Sequence, residues 1–103
     1  MATPFHDSLD ADVPPAEASP PLAALWWLKK GGLATGPEWE RAHDICQSRE
    51  GHRAHDLVHA LAHLIEGDEG NAAYWYRRAN ARRGPGDLDA EWARIVEEVG
   101  SVC

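Results

Sequence analysis

The stretch from His55 to Arg83 constrains the fold most, because it predicts two helices joined by a very short turn. In its first half, apolar residues recur at the three- and four-residue intervals of one helical face. The segment Glu66-Gly67-Asp68 then ends one helix with a glycine and offers an aspartate to cap the next. The second half returns to helical spacing, with four residues sharing one face: Ala72, Trp75, Tyr76 and Ala79.

Similar breaks divide the rest of the chain into three further helices. A first helix is predicted from Ser19 to Lys30, with prolines in its first turn and Gly31-Gly32 after its end. The spacing of Thr35 and Glu38 predicts a capping box at the start of a second helix, which Gly51 ends. Because strand-like alternation is absent, the sequence predicts an all-α fold.

The last helix is predicted after Gly84-Pro85-Gly86, with Asp87 as its cap. Its apolar residues form one narrow stripe and its other face is acidic. Such an amphipathic helix suits the closing element of a bundle. We therefore expect a five-helix bundle in which two helical hairpins are covered by a C-terminal capping helix.

The chain divides into an N-terminal tail, residues 1–19, and a helical domain, residues 20–103. The tail is rich in proline, alanine and acidic residues and lacks lysine and arginine. Segments of this composition bury too little apolar surface to offset their ordering entropy, so we predict that the tail is disordered.

Charge and composition exclude several classes of protein. The formal net charge of −7 argues against nucleic-acid binding through bulk electrostatics. An apolar run of about 20 residues, as a membrane span requires, is missing, and so is a signal peptide. Two cysteines, Cys46 and Cys103, do not make a disulfide framework. We therefore predict a cytoplasmic protein without membrane association.

An internal repeat accompanies the hairpin pattern. The string A-L-x-x-L-x-x-G begins at Ala24 and again at Ala60, 36 positions later. From Ala60 onward the chain resembles tetratricopeptide repeats and, around its A-x-Y-W-Y-R-R-A portion, Sel1-like repeats. The residues that carry this resemblance are Ala60, His63, Gly67-Asp68, Ala72, Tyr76 and Ala79. The sequence departs from the repeat pattern at His59 and His63, where leucine and an aromatic residue are typical.

The run HALAHLIEGDEGNAAYWYRRA also resembles a run in small uncharacterised bacterial proteins, a resemblance that supplies no activity. The repeat resemblance implies a non-enzymatic module that binds a protein or peptide, with a partner or a homodimer completing its surface. Asparagines grip ligand backbones in tetratricopeptide grooves, which makes Asn71 a candidate for partner binding. Arg77 and Arg78, in the densest arginine cluster, are further candidates.

The histidines offer a second hypothesis. His59 and His63 are four residues apart and project from the same side of a helix, with Glu66 one step further. This set is suited to binding Zn²⁺ or another transition metal, with His43 or His55 as an additional ligand. The alternative function is therefore a metal-binding protein, or a small metal-dependent hydrolase.

Two structural interpretations of the histidines stay open beside the metal site. They could form a polar surface opposite the apolar face, or they could hydrogen-bond to a neighbouring helix, for example His43 with His59. The sequence contains no arrangement that predicts a catalytic residue, so an enzyme is less favoured than a binding protein.

Overall fold

The computed structural model of the protein describes residues 8–100, and these form five helices and no strands. The helices are α1 (Pro20–Lys30), α2 (Pro37–Gln47), α3 (Arg53–Ile65), α4 (Glu69–Arg78) and α5 (Leu88–Gly100). The predicted all-α, five-helix fold is confirmed. None of these helices has both the length and the apolar character needed to cross a membrane.

Helix α3 lies at the centre and contacts each of the other four helices. One side of it carries Leu57, Val58 and Leu61, which are fully buried in the main core. Its other side carries His55, His59 and His63, and these are buried too. For these three histidines the interpretation as a solvent-exposed polar surface is therefore wrong, because neighbouring helices cover that side as well.

Two helical pairs are built around short connections. Helix α1 packs on α2, and α3 packs on α4 across the turn at residues 66–68. Gly67 adopts a φ of +84°, which favours glycine, and the carboxylate of Asp68 accepts a hydrogen bond from the backbone N–H of Asn71 at 3.1 Å. The predicted cap at Asp68 is confirmed.

The capping box predicted at Thr35 is wrong. Helix α2 starts one residue later, with Gly36 as its N-cap, and no side chain makes a capping hydrogen bond there. Glu38 is then the second helical residue and lies against Gly31, where an added Cβ would be 2.8 Å from the Glu38 Cβ. The start of α2 therefore lies close to the end of α1.

Helix α5 closes the bundle across α1 and α3. Its predicted cap is confirmed, since the Asp87 carboxylate accepts a hydrogen bond from the Ala90 N–H at 2.9 Å. The buried Trp92 indole donates to the Leu25 carbonyl at 2.8 Å. This bond joins the last helix to the first.

Glu91 belongs to the acidic residues of α5, but only 1% of it is exposed. Its carboxylate accepts hydrogen bonds from the Tyr76 hydroxyl, from the Gly84 N–H at 2.9 Å and from Arg94 at 2.7 Å. Burial disfavours the charged carboxylate, but the bonds from Arg94, Tyr76 and Gly84 outweigh it and lower the pKa of Glu91. An added Cβ at Gly84 would lie 2.8 Å from the Glu91 Oε1.

The N-terminal segment is described from Ser8 onward. The Trp26 indole donates to the Ser8 hydroxyl at 3.1 Å, and the Lys30 ammonium donates to the Leu9 carbonyl at 2.7 Å. The disorder predicted for residues 1–19 stays a prediction, and residues 1–7 lie outside the described part, as does Cys103.

Replacing Tyr76 by phenylalanine should destabilise the fold by about 1.5–3 kcal/mol, because it removes a hydrogen bond to a buried carboxylate. The matched control is Tyr74→Phe, which removes a hydroxyl that contacts Arg78 at the surface and should cost less than about 0.5 kcal/mol. Urea unfolding of both variants measures the difference. Equal losses would contradict the importance of the buried Glu91 network.

Candidate metal centre

Three histidines from two helices meet on the second side of α3. His59 and His63 come from α3 and His43 comes from α2, and one ring nitrogen of each lies within 4.8 Å of the others. His43 Nε2 and His59 Nε2 lie 3.0 Å apart. The His59 and His63 rings stack with their centroids 4.9 Å apart, as the four-residue spacing allows. We call these three residues the histidine cluster.

Two tryptophans fix the planes of the rings in the histidine cluster. Trp39 precedes His43 by one helical turn and stacks on it, with centroids 4.8 Å apart and planes 10° apart. The Trp39 indole also donates to the Ala62 carbonyl of α3 at 2.8 Å. Trp75 of α4 stacks on His59 with a centroid distance of 4.0 Å. Three helices therefore build the walls of the cluster.

Glu66 orients the third histidine. Its carboxylate oxygen Oε2 lies 2.5 Å from His63 Nδ1. When Nδ1 donates its proton to this carboxylate, the lone pair of His63 resides on Nε2 and is available to a ligand. Histidines that bind metals are commonly held by a carboxylate in this way.

Asp68 is a further carboxylate near His63 and Glu66. Its two oxygens already accept hydrogen bonds from the backbone and side-chain nitrogens of Asn71, at 3.1 and 2.7 Å. Asp68 therefore caps α4, and Asn71 contributes to the same turn. The role of Asn71 in partner binding stays a prediction.

Burial favours the neutral form of two residues in the histidine cluster, His59 and His43. His59 is 2% exposed, and burial lowers its pKa to about 3, with further lowering by His43, His63 and Arg78. Burial, and then the neighbouring His63, also lower the pKa of His43. The buried Nδ1 of His59 has no hydrogen-bond partner among the described residues. Neutral rings with an unprotonated nitrogen are the form of histidine that binds metal ions.

The other predicted site residues are not part of this cluster, although Arg78 lies close to it. His55 pairs with His52 instead, with their Nδ1 atoms 2.8 Å apart. Arg78 lies over the Trp75 ring, 5.0 Å from its centroid, and Arg77 lines a separate cavity. Cys46 is buried and its thiol pKa is raised by burial, so it does not contribute a thiolate.

Sequence reasoning missed the part played by Trp75. Its place on the apolar face of α4 predicts core packing and gives no sign that it would stack on His59. The stacking of Trp39 on His43, in contrast, follows from their four-residue spacing.

Comparison of the chain with protein-family models, with curated proteins and with solved structures gave no match. A function for the histidine cluster is therefore argued from its geometry.

Acid should destabilise the protein through His59. An unfolded histidine gains its proton near pH 6.5, whereas His59 in the folded protein resists protonation down to a pKa of about 3. The contribution of His59 to the free energy of unfolding is therefore fully present above about pH 6.5. It is lost as the pH falls below that value, by up to about 1.4 kcal/mol per pH unit.

Urea unfolding between pH 7 and 5 measures this loss above the range in which most carboxylates titrate, near pH 4. A His59→Phe variant keeps a ring to stack on Trp75 but cannot titrate, so its stability should depend less on pH. An unchanged slope in this variant would show that other groups cause the acid sensitivity.

Proposed function

We propose that the protein binds a divalent transition-metal ion, such as Zn²⁺, through the histidine cluster. The observation that carries this proposal is the convergence of His43, His59 and His63, each of which offers one ring nitrogen within 4.8 Å of the others. Two of these residues are buried, and a buried polar group without a function is expected to have its hydrogen bonds satisfied. His59 Nδ1 has no partner among residues 8–100, but it points away from the Nε2 that faces His43, so the ion would be held by Nε2.

The spacing of the nitrogens supports this proposal. Two nitrogens bound to one zinc ion at about 2.0–2.1 Å lie about 3.0–3.4 Å apart, depending on the bond angle. The 3.0 Å between His43 Nε2 and His59 Nε2 falls at this separation. The ring nitrogen that His63 offers lies within 4.8 Å of those of His43 and His59.

The chemistry of the donors selects the class of ion. Imidazole nitrogens suit zinc, copper, nickel and iron, whereas Mg²⁺ and Ca²⁺ prefer oxygen ligands. Three protein ligands leave a position for water, the arrangement that is typical of catalytic zinc. The narrower proposal of a small hydrolase would use this open position.

The surface gives less support to a protein or peptide interaction module. Among residues 8–100, the exposed large hydrophobic side chains are Val13 and Tyr74, which is 43% exposed. Two such residues do not form the broad apolar patch that marks many interaction surfaces. The interaction proposal, including a homodimer, therefore rests on the resemblance to helical repeats.

Titration calorimetry of the untagged, metal-free chain with ZnCl₂ at pH 7.5 tests the metal proposal. We expect binding of about one equivalent, and little release of protons because the pKa values of His43 and His59 are already lowered. His63→Gln should abolish tight binding. The matched control His52→Gln removes a histidine outside the cluster and should leave affinity unchanged.

Glu66→Gln tests the role of the carboxylate that orients His63. Loss of such a contact typically weakens metal binding by about 10–100-fold while the stoichiometry is kept. Absence of binding by the unmodified chain, or equal weakening by His52→Gln and His63→Gln, would contradict the metal proposal.

A further inference from the structure

We propose that a second site, a cavity at the end of α4, binds the phosphate group of a small phosphate monoester. The cavity has a volume of about 290 Å³. It is lined by Arg77, Asn80, Ala81 and Arg82. This site shares no residue with the histidine cluster, so the proposal does not depend on metal binding.

The arginines of this cavity are available to a ligand. Within residues 8–100, the ion pairs are formed by Lys29, Arg53, His63 and Arg94, and neither Arg77 nor Arg82 takes part in one. Two unpaired guanidinium groups beside one cavity form a local positive site in a chain whose formal net charge is −7.

The backbone that carries these side chains is held in place. Asn80 has a φ of +53°, a left-handed conformation that asparagine tolerates better than most residues. The N–H of Ala81 donates to the Tyr76 carbonyl at 2.9 Å, and the Arg82 carbonyl accepts a bond from Arg94 at 2.9 Å. A site built on a fixed backbone loses less conformational entropy when it binds a ligand.

The negative end of the α4 dipole opposes an anion at this position. Here the effect is reduced, because the carbonyls of Trp75, Tyr76 and Arg77 accept hydrogen bonds from the residues that follow the helix. Two full positive charges outweigh the residual partial charge of the helix end.

The geometry points to phosphate rather than carboxylate. One guanidinium satisfies a carboxylate with two parallel hydrogen bonds, whereas a phosphate monoester carries up to two negative charges and three terminal oxygens. Two arginines match both its charge and its number of acceptors, and the Asn80 amide adds another donor. The cavity lies at the lower limit of ligand sites, which favours a small molecule.

Amide NMR spectra of the metal-free full chain, titrated with inorganic phosphate and with phenyl phosphate at constant ionic strength, test this proposal. We expect saturable shifts of the Asn80, Ala81 and Arg82 amide signals, and a weaker response to acetate. Arg77→Gln and Arg82→Gln should each weaken phosphate binding by roughly tenfold, since each removes a charge-assisted hydrogen bond.

The matched control is Arg83→Gln, which removes the same charge from a neighbouring residue that lines a different cavity. It should change phosphate affinity by less than about twofold, because charges that remain exposed are well screened by solvent and salt. Asn80→Gly retains the left-handed backbone and tests the side-chain amide alone. Thermal melts confirm that each variant is folded.

Three results would overturn the proposal. Shifts that do not saturate would show that phosphate has no site at this cavity. Equal weakening by Arg83→Gln and Arg82→Gln would show diffuse attraction to the arginines. Binding of a phosphoserine peptide far more tightly than phenyl phosphate would replace the small molecule by a phosphorylated protein as the ligand.

Discussion

The burial of α3 on all sides is the constraint on which the rest of the structure depends. A helix that contacts four others is normally apolar around its whole circumference. Helix α3 instead carries polar side chains on its second side, and these need partners from the helices that cover them. His43 from α2 and Trp75 from α4 provide those contacts. The candidate site is thus a consequence of placing a half-polar helix at the centre of a small bundle.

His59 can be buried on the second side of α3 because its ring is neutral, whereas an unpaired buried charge would cost several kcal/mol. The ring of His59 loses its contact with water and gains a stacked indole and one bond to His43, while its second nitrogen stays without a partner. The Glu91 network is the opposite case, because the buried carboxylate keeps its charge. Tyr76, Gly84 and Arg94 each donate a hydrogen bond to it. The same small domain therefore contains one buried cluster that favours neutrality and one that favours charge.

The sequence predicts most of the helices, because glycines, prolines and the caps at Asp68 and Asp87 act within a few residues of where they stand. It also predicts that His59 and His63 share a side with Glu66, and it names the contact between His43 and His59 as one alternative. A helical wheel shows which residues share a face but not which element covers that face. For this reason the stacking of Trp75 on His59 and the burial of Glu91 were both missed. The capping box predicted at Thr35 was wrong. The contact between Glu38 and Gly31 at the start of α2 depends on packing between helices, which a local sequence pattern does not show.

The histidine cluster draws on both halves of the chain, with His43 before the turn at Gly51 and the other two histidines after it. The indole of Trp39 spans the same division, since it reaches the Ala62 carbonyl of α3. Neither half carries the complete cluster by itself. If the backbone were cut at that turn, the cluster would exist only while the two fragments stayed associated, and any ligand bound to all three rings would act as a clamp between them.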